Sequence, residues 1–286
     1  MNAPLPESAV AGWRGRLSLD YRLAAGRTVA HTAHDGPLRV LQPLHPEGPG
    51  ICHHVVLHPP GGVVAGDELL IDAKLAAGCH ALITTPGATR FYRSEGATAL
   101  QQAQLKLEAG ARLEWLPLET IAYSGCRAQN RVQFELAGDA EMIGWDLLAL
   151  GLPASNQPFA GGWFRQTLHW PGRWLESARI AADDATLLRS AAGWAGHPVL
   201  ATAWFATGAA LPNARRDALL ETTRGVIGGH ALAPRAGVTS PQPGLLVLRA
   251  LAPRVEPVMD LLVQVRAAWR HEAWGLDGAA PRIWRT

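Results

Sequence analysis

Lysine and cysteine are scarce in this chain, and the signatures of common catalysts are missing altogether. Of 26 basic residues only Lys74 and Lys106 are lysines. The basic set is nearly balanced by 24 acidic residues, so no electrostatic footprint for nucleic acid exists. Three cysteines, Cys52, Cys79 and Cys126, are too few for a disulfide framework, and none forms a Cys-x-x-Cys pair; a reducing compartment fits. No stretch approaches the roughly 20 uninterrupted apolar residues of a membrane helix. Met1 to Gly12 lacks the basic-then-apolar order of a secretory signal. A cytoplasmic protein without membrane or nucleic-acid partners is expected. There is no Gly-x-x-x-x-Gly-Lys-Ser/Thr, no Gly-x-Ser-x-Gly and no His-Glu-x-x-His, which excludes a P-loop, a nucleophile elbow and a zincin helix. No catalytic residue is assigned, and an enzyme is the weaker class.

What is present is apolar and rich in turns. Hydrophobic residues make up 48% of the chain and charged residues 17%, enough for a full core and for surface covered by partners. The stretch from Cys52 to Ser94 organises the rest. Apolar runs at Val55 to Leu57 and Glu68 to Leu75 flank a turn of Pro59, Pro60, Gly61 and Gly62, where fixed φ and permitted positive φ force an abrupt change of direction. A second bend stands at Gly66-Asp67, with the Asp side chain able to hold its own backbone. Pro86-Gly87 closes a third run.

Trp13 to Ala30 alternates as a strand, and Leu38 to Leu44 reads as another. The segments Leu75-Ala-Ala-Gly78, Leu107-Glu-Ala-Gly110 and Leu136-Ala-Gly138 are loose copies of one strand–turn–strand unit. Units that cannot bury both faces alone are expected to stack. Trp163 to Ile180 reads as a hairpin about Pro171-Gly172, with further strands at Ala201 to Phe205 and Leu245 to Ala250. Two helices come late, at about 213–227, with Asn213 as its N-cap, and at 255–274, with Gly275 as its stop. In the second, Val255, Val258, Met259, Leu262, Val265 and Trp269 form the apolar stripe, and Arg266, Arg270 and His271 fall in the last turns. The expected fold is mainly β, layered and solenoid-like, with a flexible segment over 1–12 and a single domain over 13–286. The tail from Pro281 carries too many large groups to be loose and should pack back.

Cys52, His53, His54 and His58 lie within seven residues and are suitable ligands for Zn²⁺, Ni²⁺ or Cu²⁺. In a strand only Cys52, His54 and His58 share a face, so a transient site is the most they provide. A metal-dependent hydrolase using Cys52, His54 and His58 is the alternative function. Isolated polar groups in apolar strands, Asp67, Thr84, Thr85, Glu114, Glu119 and Asp146, must be exposed, paired or lining a wet interior. Together they could pass a divalent cation along weakly. Asp183-Asp184 reads as capping.

The stretches His58-Pro-Pro-Gly-Gly-Val-Val-Ala-Gly-Asp67, Thr84-Thr-Pro-Gly-Ala-Thr-Arg-Phe-Tyr-Arg-Ser94, Gly110-Ala-Arg-Leu-Glu-Trp-Leu-Pro-Leu-Glu-Thr-Ile121 and Pro281-Arg-Ile-Trp284 resemble the urease accessory protein D family, called H in some bacteria. The similarity runs in order from about Trp13 to the end. The resemblance implies a non-catalytic scaffold that binds apo-urease and bridges it to accessory protein F and the GTP-hydrolysing accessory protein G. It implies no tightly bound cofactor, with Ni²⁺ in transit through an internal passage. Gly61, Gly62, Gly66, Asp67, Thr84, Thr85, Tyr92, Arg93, Ser94 and Glu119 match the family's motifs. Pro86-Gly87-Ala88 stands where Gln-Ala-Ala is usual, and the segment around Asp146, Leu152 and Gln157 also departs.

Overall fold

The computed structural model describes residues 12–285. The expected loose segment at 1–12 therefore lies almost wholly outside the described residues. The chain opens with β1 (Arg14–Ala24) and β2 (Arg27–Asp35), then the two-residue β3 (Arg39–Val40) and β4 (Ile51–Leu57). The central run comprises β5 (Glu68–Leu75), β6 (His80–Thr84), β7 (Thr89–Phe91), β8 (Ala99–Leu107), β9 (Arg112–Leu116), β10 (Thr120–Ala122), β11 (Cys126–Leu136) and β12 (Glu141–Leu150). A hairpin follows, β13 (Gly162–Trp170) with β14 (Trp174–Ala181), then the short helix α1 (Ala185–Arg189) and β15 (Val199–Thr207). Helix α2 (Asn213–Gly228), β16 (Ala236–Gln242), β17 (Leu245–Ala252) and helix α3 (Val255–Trp274) precede a final 3₁₀ turn at Arg282–Arg285.

The strands form two sheets. Seven stand in the order β14-β13-β11-β8-β5-β1-β2, and the second sheet, of ten, runs β16-β17-β15-β12-β9-β6-β4-β3, with β10 and β7 attached beside β12. Within the first, β1, β5, β8, β11 and β13 are parallel; within the second, β4, β6, β9 and β12 are. Each rung of the stack thus contributes one strand to each sheet. The corners are the three glycine turns: Gly78, Gly110 and Gly138 all have positive φ (71°, 68° and 55°), a conformation glycine adopts without a Cβ clash. Each turn sits on the next. The amide of Gly78 donates to Ala109 O at 3.1 Å, and that of Gly110 to Asp139 Oδ1 at 2.7 Å.

One core fills the space between the sheets, built around Leu19, Phe91, Phe134 and Trp204. A second lies between the other face of the ten-stranded sheet and helices α2 and α3, built around Trp145, Phe205, Leu262 and Trp269. Strand β12 is buried at every residue, as expected for a strand covered on both faces.

Three sequence expectations need correction. Trp13 to Ala30 is two strands, because Ala25 and Gly26 take positive φ (48° and 75°) and fold the segment into the β1–β2 hairpin. Leu38 to Leu44 is an interrupted strand: the ladder holds at Arg39–Val40, is broken around Pro43, which has no N–H for it, and resumes as a single bridge between Leu44 and His53. Asn213 is not the cap of α2. The carbonyl of Pro212 accepts from Arg216 N at 3.0 Å, so Pro212 is the cap and Asn213 is already helical. A third helix, α1, is capped by Asp184, whose Oδ1 accepts from Leu187 N at 2.9 Å. Helix α3 keeps its expected bounds and ends at Gly275, with φ 62°.

Candidate functional site

The polar residues that sequence left scattered fall into three settings. In the first, strand register brings Gln101 of β8, Asn130 of β11 and Gln166 of β13 side by side. Their neighbours two residues away, such as Ala103, Val132 and Phe164, are buried in the core between the sheets, so all three point inward. Asp146 of β12 meets them from the opposite sheet. Gln101 Nε2 donates to Asn130 Oδ1 at 3.3 Å, and Asn130 Nδ2 donates to Asp146 Oδ2 at 3.0 Å. Gln166 flanks the carboxyl, yet neither its Oε1 nor its Nε2 has a partner at hydrogen-bonding distance. Buried polar atoms are normally satisfied, so an orphaned amide marks space for water or a polar guest. Burial pushes the Asp146 carboxyl up to about 7; the nearby Gln166 amide, though beyond hydrogen-bonding distance, and the bond from Asn130 only partly oppose it, and the Glu176 charge adds to it.

Gln101 also lines a cavity of about 480 Å³ whose walls include His58, Gly62, Thr84, Thr85 and Trp115. Trp115 Nε1 is buried without a partner. A chain of hydrogen bonds therefore leads from the cavity wall through Gln101 and Asn130 to Asp146. Thr84 and Thr85 are tied to backbone: Thr84 Oγ1 donates to Leu116 O at 2.7 Å, and Thr85 Oγ1 accepts from Leu118 N at 2.9 Å. The Trp284 indole donates to Thr84 Oγ1 at 2.8 Å, which docks the C-terminal turn on the body as the tail's composition foretold.

The second setting is the bend at residues 61–67. Asp67 Oδ2 accepts from Val64 N at 2.9 Å and Oδ1 from Trp13 N at 2.8 Å, so this carboxylate holds its own turn. Ser94 Oγ accepts from Ala65 N and donates to Ala97 O, both at 3.2 Å. A Cβ at Gly62 would lie 2.0 Å from the Tyr92 ring, and Tyr92 meets Tyr123 edge-on at 4.9 Å. The Pro59-Pro60-Gly61 turn closes through Gly61 N to His58 O at 2.9 Å. Arg93 pairs with Glu95 at the surface. Glu119 belongs to neither the row nor this bend; it borders a separate cleft with Trp284 and Arg285.

The third setting is an ionic cluster under α3. Glu114 of β9 is fully buried on the helix side of its sheet and accepts from Arg266 Nε at 2.6 Å. Its other oxygen accepts from Arg270, which also binds Glu47, and Glu47 accepts from His53 Nε2 at 2.8 Å. Burial works against ionising Glu114, but His80 and the two guanidinium groups outweigh it and hold the acid down at about 2. Sequence reasoning assigned Arg266 and Arg270 to the end of a helix and treated Glu114 as isolated. A signal existed: Arg266 and Arg270 are four and eight residues past Leu262, on the apolar stripe itself.

Cys52, His54 and His58 do not converge. His54 Nδ1 is hydrogen-bonded to Tyr21 Oη at 2.8 Å, and burial lowers that imidazole to about 4 and raises the Cys52 thiol to about 11. His58 lies beyond the end of β4, on the cavity wall. Among the described residues no group of three or more His, Cys, Asp or Glu side chains could hold a metal ion. The hydrolase alternative loses its geometric basis.

The fold is a stack of parallel rungs closed by antiparallel hairpins, with one polar row turned inward between the sheets. Comparison with known proteins gives its family. The family described as UreD urease accessory protein matches residues 13–285, and the chain belongs to that family. It is 60% identical over 276 residues to the urease accessory protein UreD of Leptothrix cholodnii, covering 96% of this chain and 99% of that one. It is 57% identical to the protein of the same name from Paracidovorax citrulli, over 95% of this chain and 99% of the relative. The corresponding Variovorax paradoxus protein is 56% identical, over 96% and 99%. No helix of the described residues is long and apolar enough to cross a membrane.

Proposed function

We propose that this urease accessory protein is a non-catalytic cytoplasmic scaffold that binds apo-urease and bridges it to accessory proteins F and G. On this reading G hydrolyses the GTP, and Ni²⁺ reaches urease by way of the space between the two sheets. The observation that carries the passage is the row from the cavity wall through Gln101 and Asn130 to Asp146, with the unpartnered amide of Gln166 beside it.

The donor chemistry suits transit. Amide oxygens and a single carboxylate are weak ligands for a borderline cation, whereas a closed site of thiolates and imidazoles would retain it. A cation that rests at Asp146 displaces the proton that burial favours there, and the proton returns when the cation leaves. Asp67, Ser94, Tyr92 and Arg93 serve the shape of the bend beside the cavity; Thr84, Thr85 and His58 line its walls.

The test is nickel per active site in urease co-expressed with its accessory set, with and without this chain, and with Asp146→Ala. Nickel-poor, inactive urease without the chain, restored on its return, supports the maturation role. Full nickel loading by Asp146→Ala would overturn the passage. Unchanged nickel without the chain would overturn the whole reading.

A further inference from the structure

The outer face of the seven-stranded sheet carries a concentration of positive charge that the fold does not use. Arg127 and Arg131 on β11, Arg165 on β13 and Arg179 on β14 are all exposed. Register places Arg165 directly across from Arg179 and beside Gln129, the residue between Arg127 and Arg131 along β11. With strands about 4.8 Å apart and alternate residues about 6.7 Å apart, the four guanidinium groups share one small area. Like charges directly opposite each other on a sheet are destabilising. None of these four has a carboxylate partner among the described residues. Arg131 donates to the neutral Gln129, and Arg179 lies over the Trp163 ring at 4.9 Å.

The contrast with the rest of the molecule is informative. Several other exposed cations are matched: Arg14 with Glu68, Lys106 with Glu135 on this same face, and Arg249 with Glu176. Here an unmatched set surrounds a tryptophan, and Leu175 on the same face of β14 is 65% exposed. Arginine and tryptophan with an exposed aliphatic group make a surface typical of protein contacts, where planar guanidinium groups clamp carboxylates.

We propose that this face, centred on Arg165 and Arg179, docks an acidic surface of a protein partner. A nucleic acid fits less well. The patch lies on a sheet face bracketed by acid, with Glu135 past Arg131 on β11 and Asp183-Asp184 following β14. A phosphate backbone needs a longer basic track. The inference stands apart from the nickel passage, whose residues lie on the opposite side of this sheet.

The experiment compares the intact chain with Arg165→Gln/Arg179→Gln, with Lys106→Gln as the same-face control. Each is titrated with a short oligoglutamate peptide carrying one leucine, and with duplex DNA of similar charge. The expected result is salt-sensitive peptide binding that falls about tenfold or more in the double variant and is kept in the control, as for loss of central charged contacts. Melting temperature should hold or rise in the double variant, because a like-charge pair has gone; this excludes misfolding as the cause. Equal peptide binding by both proteins, or none by either, overturns the proposal. Binding of DNA in preference to the peptide, lost in the same variant, also overturns it. Failure of the chain to bind any urease component would sink the maturation reading while leaving this result intact.

Discussion

Arg266 Nε lies 2.6 Å from Glu114 Oε2, joining helix α3 to strand β9 across 152 residues of sequence, and both side chains are wholly buried. The pair is tied to Arg270, Glu47 and His53, so removing Glu114 leaves the buried guanidinium groups of Arg266 and Arg270 without their shared carboxylate. Glu114→Gln is expected to cost about 3–5 kcal/mol, the range for breaking a buried ion pair from one side. Urea unfolding read by tryptophan fluorescence measures it. The same acid sets an acid limb. Its folded value of about 2 lies below the ordinary 4.5, so its contribution is full above 4.5 and is lost as pH falls towards 2.

His54 gives a different window. Its folded value of about 4 lies below the ordinary 6.5, so the unfolded chain takes up the proton first and stability falls as pH drops from 6.5 to 4. At about 1.36 kcal/mol per pH unit, the loss at pH 5 is on the order of 2 kcal/mol. Melting curves across that interval should flatten in His54→Gln. An unchanged slope would assign the loss elsewhere, His80 being the next candidate because burial lowers it too.

Asp146 works in the opposite direction. Its value is raised from 3.8 to about 7. Its stabilising effect is therefore present below 3.8 and lost as pH rises through 7, where the carboxylate must stay ionised in the core. Asp146→Asn can still accept from Asn130. It is expected to raise stability at pH 8 by on the order of 2 kcal/mol, a few degrees in Tm, while lowering nickel in co-expressed urease. A gain in stability with full nickel loading would separate the residue from the passage.

Gly62 is a matter of space. Gly62→Ala would place its Cβ 2.0 Å from the Tyr92 ring, so Tyr92 must swing away from Tyr123. A loss of about 1–3 kcal/mol is expected, the range for overpacking. Tyr92→Ala should make Gly62→Ala nearly neutral. A double-mutant cycle with no coupling would refute the contact.

Much of this architecture was legible because glycine spacing and strand alternation are local signals. Gly78, Gly110 and Gly138 mark corners wherever the chain goes, and the stripe of α3 with Gly275 fixes that helix from its own sequence. Asp67 and Asp184 were legible as backbone-binding residues for the same reason. The row of Gln101, Asn130 and Gln166 was not, since it exists only through the register of three strands. Arg266 and Arg270 misled because an arginine near a helix end is normally solvated. Their burial is decided by Glu114, a residue no local pattern links to them.

The bond from Trp284 to Thr84 spans 200 residues. During synthesis Thr84, on the cavity wall, must wait for those 200 residues to emerge before its indole partner arrives. The rungs can stack in order as they leave the ribosome, but this contact forms long after its own strand. A chain cut short between the two residues would present Thr84 without its indole, and a partner that contacts this corner would meet a different surface there.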